Sequence, residues 1–334
     1  MAIPLDYGNA AAEYDAARRA VGVVDRSGSG VLEVTGRDRA AFLHAMLSND
    51  VKSLAAGQGC AASLLDVHGK IQTFLWVLAL EDRVLLLTPP GRAQSTIDAL
   101  DAYLFSEKAY FRDATGEFAI PMLAGPEAPA LVHRLTGASL PDAPWGHLSA
   151  SLASVSIRVV RGGGETGEPE ALLLVPAPDG ETVWQKVIEA GARPFGLAAL
   201  ESLRIESGTP AFGDDADSSV LLPEIPFLDK VSYTKGCYIG QEVVVRIRDR
   251  GHVNRMLRGL VLDGESVPTR GATIVADGNE AGRVTSAAWS FGLKRPIALG
   301  FVKRQQAEPG TAVDVVLPDG ERAHASVSSL PFAR

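Results

Sequence analysis

The chain has 334 residues, of which 46% are hydrophobic, 22% charged and 6% aromatic, and its formal net charge is −8. That length supports two or three domains with a substantial core, and the acidic balance gives bulk electrostatics no pull toward nucleic acid or anionic membranes. The longest apolar run, residues 74–80, is far short of the roughly 20 residues that span a bilayer.

Taken in order, residues 13–24 read as an Ala-rich helix and 31–34 as a strand by their alternation. Thr35-Gly36 opens a second helix over 37–47, closed by Ser48-Asn49-Asp50. Residues 60–65 and 71–80 form a hairpin around Asp66-Val67-His68-Gly69. A strand at 84–87, an amphipathic helix at 94–105 and a strand at 110–113 follow. This order predicts an α+β sandwich, an antiparallel sheet covered by helices on one face. A similar cycle comes next: a strand at 118–123, a helix at 126–135, strands at 155–161 and 171–175 around Gly162-Gly163-Gly164, and helices at 182–190 and 196–206. The glycine run lacks the Gly-Lys-Ser/Thr of a phosphate loop and opens no helix, so a flexible hairpin tip is the expectation.

From about Arg255 onward the texture changes to six short strand-like runs, 259–262, 273–276, 282–287, 297–302, 312–317 and 323–327, separated by Asp-Gly and Pro-Gly turns. They predict a small all-β barrel or sandwich. The main boundary is placed near Gly251, giving a region 1–250 with an internal division near 115 and a C-terminal domain 251–334.

The chemistry concentrates in Lys235-Gly236-Cys237-Tyr238-Ile239-Gly240-Gln241-Glu242, the cysteine loop, next to the domain boundary. Lys235 places an ammonium two residues from the Cys237 thiol, a setting that favours thiolate; a structural cysteine is the alternative. Cys60 starts an apolar strand and reads as core. With no basic segment followed by an apolar one in the first 15 residues, no secretory signal is expected, and both cysteines are expected as thiols in a reducing cytoplasm. The run Val243-Val244-Val245 reads as a buried strand, with Gln241 and Glu242 on opposite faces at its start. On that strand Arg246, Arg248 and Arg250 share one face, suited to carboxylates or phosphates or serving as a solvated edge.

These residues together resemble the YgfZ-type folate-binding proteins, relatives of the glycine-cleavage T-protein. Lys-Gly-Cys-Tyr-x-Gly-Gln-Glu stands complete at 235–242, and Ser48-Asn49-Asp50-Val51, Asp66 to Lys70, Leu203-Arg204-Ile205-Glu206-Ser207-Gly208 and Gly282 to Ser286 resemble further elements of that family. The resemblance implies two α+β lobes and a β-barrel, three-lobed around a central channel that holds tetrahydrofolate. It implies a tetrahydrofolate-binding protein supporting iron–sulfur cluster assembly or repair and, through it, tRNA modification. Cys237 is then the functional thiol, tuned by Lys235. Arg204, Glu206, Tyr238, Gln241, Glu242, Asn49 and Arg246 are the expected cofactor-binding residues. Iron–sulfur client or assembly proteins are the expected partners, with tRNA contact through Arg246, Arg248 and Arg250 and no membrane association. The acidic pair of the aminomethyltransferases is replaced by the stretch containing Thr73, and their pterin-contacting glutamate falls near Leu172. The expectation therefore leans away from aminomethyl transfer, and a folate-dependent aminomethyl or methyl transferase and a tRNA- or polyanion-binding module remain the alternatives.

Overall fold

The computed structural model describes residues 3–226 and 229–333. Its first sheet is antiparallel, in the order Gly59–Leu65, Ile71–Ala79, Val84–Thr88, Gly30–Thr35, Tyr110–Asp113. Strand alternation gives it two faces. Leu32, Leu75, Val77 and Leu86 pack under the helices Arg39–Met46 and Ala93–Asp101. Val31, Trp76, Leu78, Leu85 and Leu87 point the other way, onto Ile120, Val160 and Leu174 of a second sheet.

That second sheet runs Arg193–Pro194, Gly22–Asp25, Pro121–Ala124, Glu170–Pro176, Val155–Arg161, His147–Leu152. Its far face carries the helices Ala128–Thr136 and Gly180–Glu189 through Leu131, Val132, Val183 and Val187. The layers are therefore helix, sheet, sheet, helix, each helix layer burying an apolar stripe. The chain enters the second sheet at Gly22–Asp25 before it builds the first, so the strand from the N-terminal segment lies among strands drawn from residues after 115.

Six strands close the C-terminal barrel: Arg255–Leu262, Arg295–Lys303, Asn279–Ser290, Thr273–Ala276, Ala312–Val316 and Arg322–Ser328. Five of the six predicted runs fall within them and the run 312–317 passes the end of its strand by one residue, because short apolar runs bounded by Asp-Gly or Pro-Gly turns are strong local signals. The expected α+β architecture with a β-barrel is the one observed.

Several elements differ from expectation, among them the strand His147–Leu152, where none was expected, and the strand expected over 118–123, which is split into Phe118–Ala119 and Pro121–Ala124. The helix predicted over 13–24 is Ala10–Arg19, and Gly22–Asp25 is a strand. Gly22 faces the Phe195 ring, 2.6 Å from where a Cβ would stand, a contact invisible to local propensity. The helix predicted to 105 ends at Asp101. The valine run is no strand: Gln241–Arg250 is a helix. Only Val244 of that helix is buried, with Val243 and Ile247 partly covered one turn apart, so three consecutive valines reflect one apolar stripe rather than a two-sided strand.

Candidate functional site

Between the two sheets lies a cavity of about 160 Å³. Alternation along Ile71–Ala79 aims Phe74 and Trp76 into it, and Leu87, Ile120, Met122 and Leu172 complete the apolar wall. The Trp76 and Trp145 rings stand 5.6 Å apart, and Phe74 meets Phe212 edge-on at 5.8 Å. Gly163 allows this closure: a Cβ there would lie 2.5 Å from the Trp145 indole. Gly163 of the Gly162-Gly163-Gly164 tip thus forms part of the cavity wall.

Five charged residues line the same space: Arg26, Glu165, Glu170, Asp229 and Lys230. Arg26 pairs with Glu165 at 3.3 Å. Glu170 is buried and accepts from the Gly164 N–H at 2.9 Å, the Thr166 N–H at 2.6 Å and the Thr166 hydroxyl at 2.8 Å. Burial raises its pKa, and Glu165 adds to the effect. Lys230 is buried with its ammonium 3.8 Å from the Asp229 carboxylate and 5.5 Å from the Phe74 ring centre. Burial pulls its pKa down. Sequence reasoning missed Arg26, Glu165, Glu170 and Lys230. Glu170 was legible in part, since it precedes Leu172 by two and so shares its strand face.

The expected cofactor residues have other tasks. Arg204 is buried, and its guanidinium donates to Glu201 at 3.0 and 2.5 Å, to Asp215 at 2.8 Å and to the Thr209 carbonyl at 2.7 Å. It does not line the cavity; it fixes the segment 209–212 that does. Glu206 is buried and accepts from Tyr14 at 2.7 Å, Arg18 at 2.6 Å and Ser290 at 2.6 Å, joining the N-terminal helix to the barrel. Asn49 donates to the Ala61 carbonyl at 2.7 Å and the Asp229 carbonyl at 2.9 Å. With Ser48, which donates to the Lys230 carbonyl at 2.5 Å, it staples the segment carrying Lys230 to the edge of the first sheet.

Lys235 also differs from expectation. Its ammonium caps the end of the helix Arg39–Met46, donating to the carbonyls of His44, Leu47 at 2.6 Å and Asn49 at 3.1 Å. These three bonds match the donor capacity of an ammonium, so Lys235 anchors the loop. Desolvation lowers its pKa to about 8. Its charge also acts on the Cys60 thiol, which burial nevertheless pushes up to about 12. Cys237 is exposed, as a reactive thiol requires. Tyr238 is buried in the cluster joining hairpin, loop and barrel, 5.1 Å below the Lys235 ammonium, and neither it nor Gln241 lines the cavity.

Gln241 and Glu242 open the helix rather than flank a strand, and Glu242 sits in its first turn, where a carboxylate complements the helix dipole. Helical geometry also breaks the arginine row. Arg246 and Arg250, four apart, share a face, while Arg248 stacks over the Tyr233 ring at 4.4 Å and pairs with Asp249 at 2.6 Å.

Residues 1–226 match the GCVT N-terminal domain model, and residues 255–333 match the glycine cleavage T-protein C-terminal barrel domain. The chain belongs to the glycine cleavage T-protein family. An aminomethyltransferase of Streptomyces avermitilis is 33% identical over 99% of this chain and 91% of its own length. One of Thermus thermophilus is 32% identical over 99% of this chain and 92% of its own. The crystal structure of the glycine cleavage system aminomethyltransferase T from Bartonella henselae superposes with a TM-score of 0.89 at 25% identity, covering 99% of this chain and 91% of that one. Among the described residues no helix is long and apolar enough to cross a membrane, and no cluster of ligating side chains suits a metal ion.

Proposed function

We propose that this T-protein family member binds a reduced folate in the cavity between its sheets and acts in folate-dependent, transferase-like one-carbon chemistry. The observation that carries this reading is the cavity wall: two indoles and two phenyl rings beside Lys230 and Arg26. Flat aromatic walls suit a flat heterocycle, and a buried ammonium beside a half-buried guanidinium suits a ligand that ends in carboxylates. The names of the relatives support the same class of reaction.

A folate supplies the carrier atom for the one-carbon unit. The chain's residues do the rest: Phe74, Trp76 and Trp145 sandwich and exclude water, Asn49 and Ser48 place Lys230, and Arg204 holds the 209–212 wall. Glu165 and Glu170 are the carboxyl groups that face the cavity from the 162–170 segment. Titration with tetrahydrofolate, followed by calorimetry and by indole emission, tests the reading. Saturable binding that Trp76→Ala weakens is expected; absence of both heat and emission change overturns it.

A second reading is favoured by two observations together. Cys237 is exposed, and the strand Ile71–Ala79 turns Phe74 and Trp76 to the cavity and carries no carboxylate, so it supplies no acid or base for group transfer. On this reading the protein supports iron–sulfur cluster assembly or repair, and through it tRNA modification, with Cys237 reaching a client or assembly protein. A cluster takes about four ligands, so that partner supplies the others. Complementation of a strain lacking the gene separates the readings. Loss of cluster-enzyme activity with Cys237→Ser supports the second, whereas aminomethyl turnover that is indifferent to Cys237→Ser supports the first alone.

A further inference from the structure

The three glycines that follow the strand Val155–Arg161 each meet a specific demand. A Cβ on Gly162 would lie 2.5 Å from the Glu170 carboxylate, and one on Gly163 would lie 2.5 Å from the Trp145 indole. Gly164 is in the left-handed region at φ +84°, which costs a residue with a Cβ about 1–2 kcal/mol. The run therefore lets the chain turn tightly over a buried carboxylate. Glu170 spends both oxygens there. Its Oε2 accepts from the Gly164 N–H at 2.9 Å, and its Oε1 accepts from the Thr166 N–H at 2.6 Å and the Thr166 hydroxyl at 2.8 Å.

The residue between those two held amides is Glu165. Its carbonyl accepts from the Ser207 hydroxyl at 2.5 Å, so its backbone is fixed on both sides. Its side chain lines the cavity and meets Arg26 through Oε1 at 3.3 Å. Its Oε2 has no donor among the described residues. At 24% side-chain exposure this carboxylate is shielded by the wall yet open to a ligand. The other carboxylates that line the cavity are placed differently. Glu170 is committed to the loop, and Asp229 is 58% exposed at the Lys230 end. The strand Ile71–Ala79 carries no carboxylate, so an acid or base for this cavity comes from the second sheet, and Glu165 is the group held in place for it.

We infer that Glu165 is the acid–base residue of the chemistry in this cavity, and that Glu170 and Arg26 position it. The nitrogen that accepts the one-carbon unit loses a proton to the Glu165 carboxylate as its C–N bond forms. The carboxyl group returns that proton to the amine that departs as the old C–N bond breaks. The carbon keeps its oxidation level, so no electron acceptor is needed. This rests on the folate-dependent transferase reading and deepens it by naming the group that moves the proton. Glu170 touches no reacting atom on this account; it aims Glu165 by holding the amides on either side.

The test combines calorimetric titration of the full chain with tetrahydrofolate and transfer to tetrahydrofolate from an S-aminomethyl thiol. Glu165→Gln is expected to lower kcat about a hundredfold or more while tetrahydrofolate affinity stays within about threefold of wild type. Glu165→Ala is expected to recover part of its rate when formate is added, because a free carboxylate can take the vacated place; Glu165→Asp is expected to fall between wild type and the glutamine variant, and serves if that variant does not fold. Glu170→Gln, which cannot accept from both flanking amides, is expected to lower kcat with KM unchanged. Affinity and kcat falling together in Glu165→Gln make Glu165 a binding contact and overturn the inference. So does wild-type kcat in that variant, or a loss in Glu165→Ala that formate does not touch. An unchanged kcat in Glu170→Gln removes Glu170 as the positioning residue. If wild type binds no tetrahydrofolate, the folate reading itself fails; if it binds and transfers regardless of Glu165, only this inference fails; if it binds without transfer, the transferase reading falls and Glu165 loses its role with it.

Discussion

Gly69 and Gly240 lie back to back, both in the left-handed region at φ +77° and +80°. A Cβ on Gly240 would stand 3.0 Å from the Gly69 Cα and 2.5 Å from the Asp66 carbonyl oxygen. The cysteine loop is thereby seated on the hairpin turn of the first sheet, and the helix Gln241–Arg250 starts from that seat. Gly240→Ala adds a backbone penalty of about 1–2 kcal/mol to a backbone clash, so a loss of at least about 2 kcal/mol is expected in urea unfolding. Wild-type stability in that variant would show that the seat is not constrained.

The two thiols are expected to separate by reactivity. Cys237 is exposed, whereas burial, aided by Asp50, pushes Cys60 up to about 12. At pH 8 only about one Cys60 in ten thousand is then thiolate, and the thiolate is the nucleophile. Iodoacetamide should add one label per chain, Cys237→Ser should remove it, and Cys60→Ser should leave it. Comparable labelling of both thiols, read by mass spectrometry, contradicts this.

Arg204 is expected to behave as a wall-holding residue. Arg204→Met leaves Asp215 buried beside the Ala211 N–H without its guanidinium, a change that typically costs about 3–5 kcal/mol. Stability and ligand affinity should fall together. A variant that keeps wild-type stability but loses tetrahydrofolate affinity would instead make Arg204 a direct ligand contact.

His147 sets an acid sensitivity. It is buried, its Nδ1 is 2.8 Å from an Arg158 Nη, and burial followed by that neighbouring cation lowers its pKa to about 4. Between pH 6.5 and 4 the unfolded chain binds the proton and the folded chain does not, so stability falls as pH falls through that window. The single-site contribution is about 3 kcal/mol. Melting midpoints across pH 7 to 4 should decline less steeply for His147→Gln than for wild type, and parallel declines would remove His147 as the cause.

The barrel and the first-sheet hairpin were legible because their strands are short apolar runs bounded by turns that carry Gly or Asp. The helix Gln241–Arg250 was not, because three adjacent valines satisfy a strand template and a helical stripe equally well over so short a run. The exposure of Cys237 was legible in its polar, glycine-flanked setting. The site was illegible at Arg204, Glu206 and Asn49, whose residue types suit ligand binding but whose partners are internal.

By itself the sequence determined most of the elements, the closing barrel and the place of the cysteine loop, since these depend on periodicity, turn residues and a contiguous motif. The tertiary structure decided which charges serve the cavity and which serve the fold. Lys235 is committed to the carbonyls of His44, Leu47 and Asn49, almost two hundred residues away in the chain. Arg26, Trp145, Glu170 and Lys230, scattered through the sequence, meet around one space. Burial and pairing are set by neighbours distant in the chain, so a local reading finds a charged residue's chemistry but not its partner.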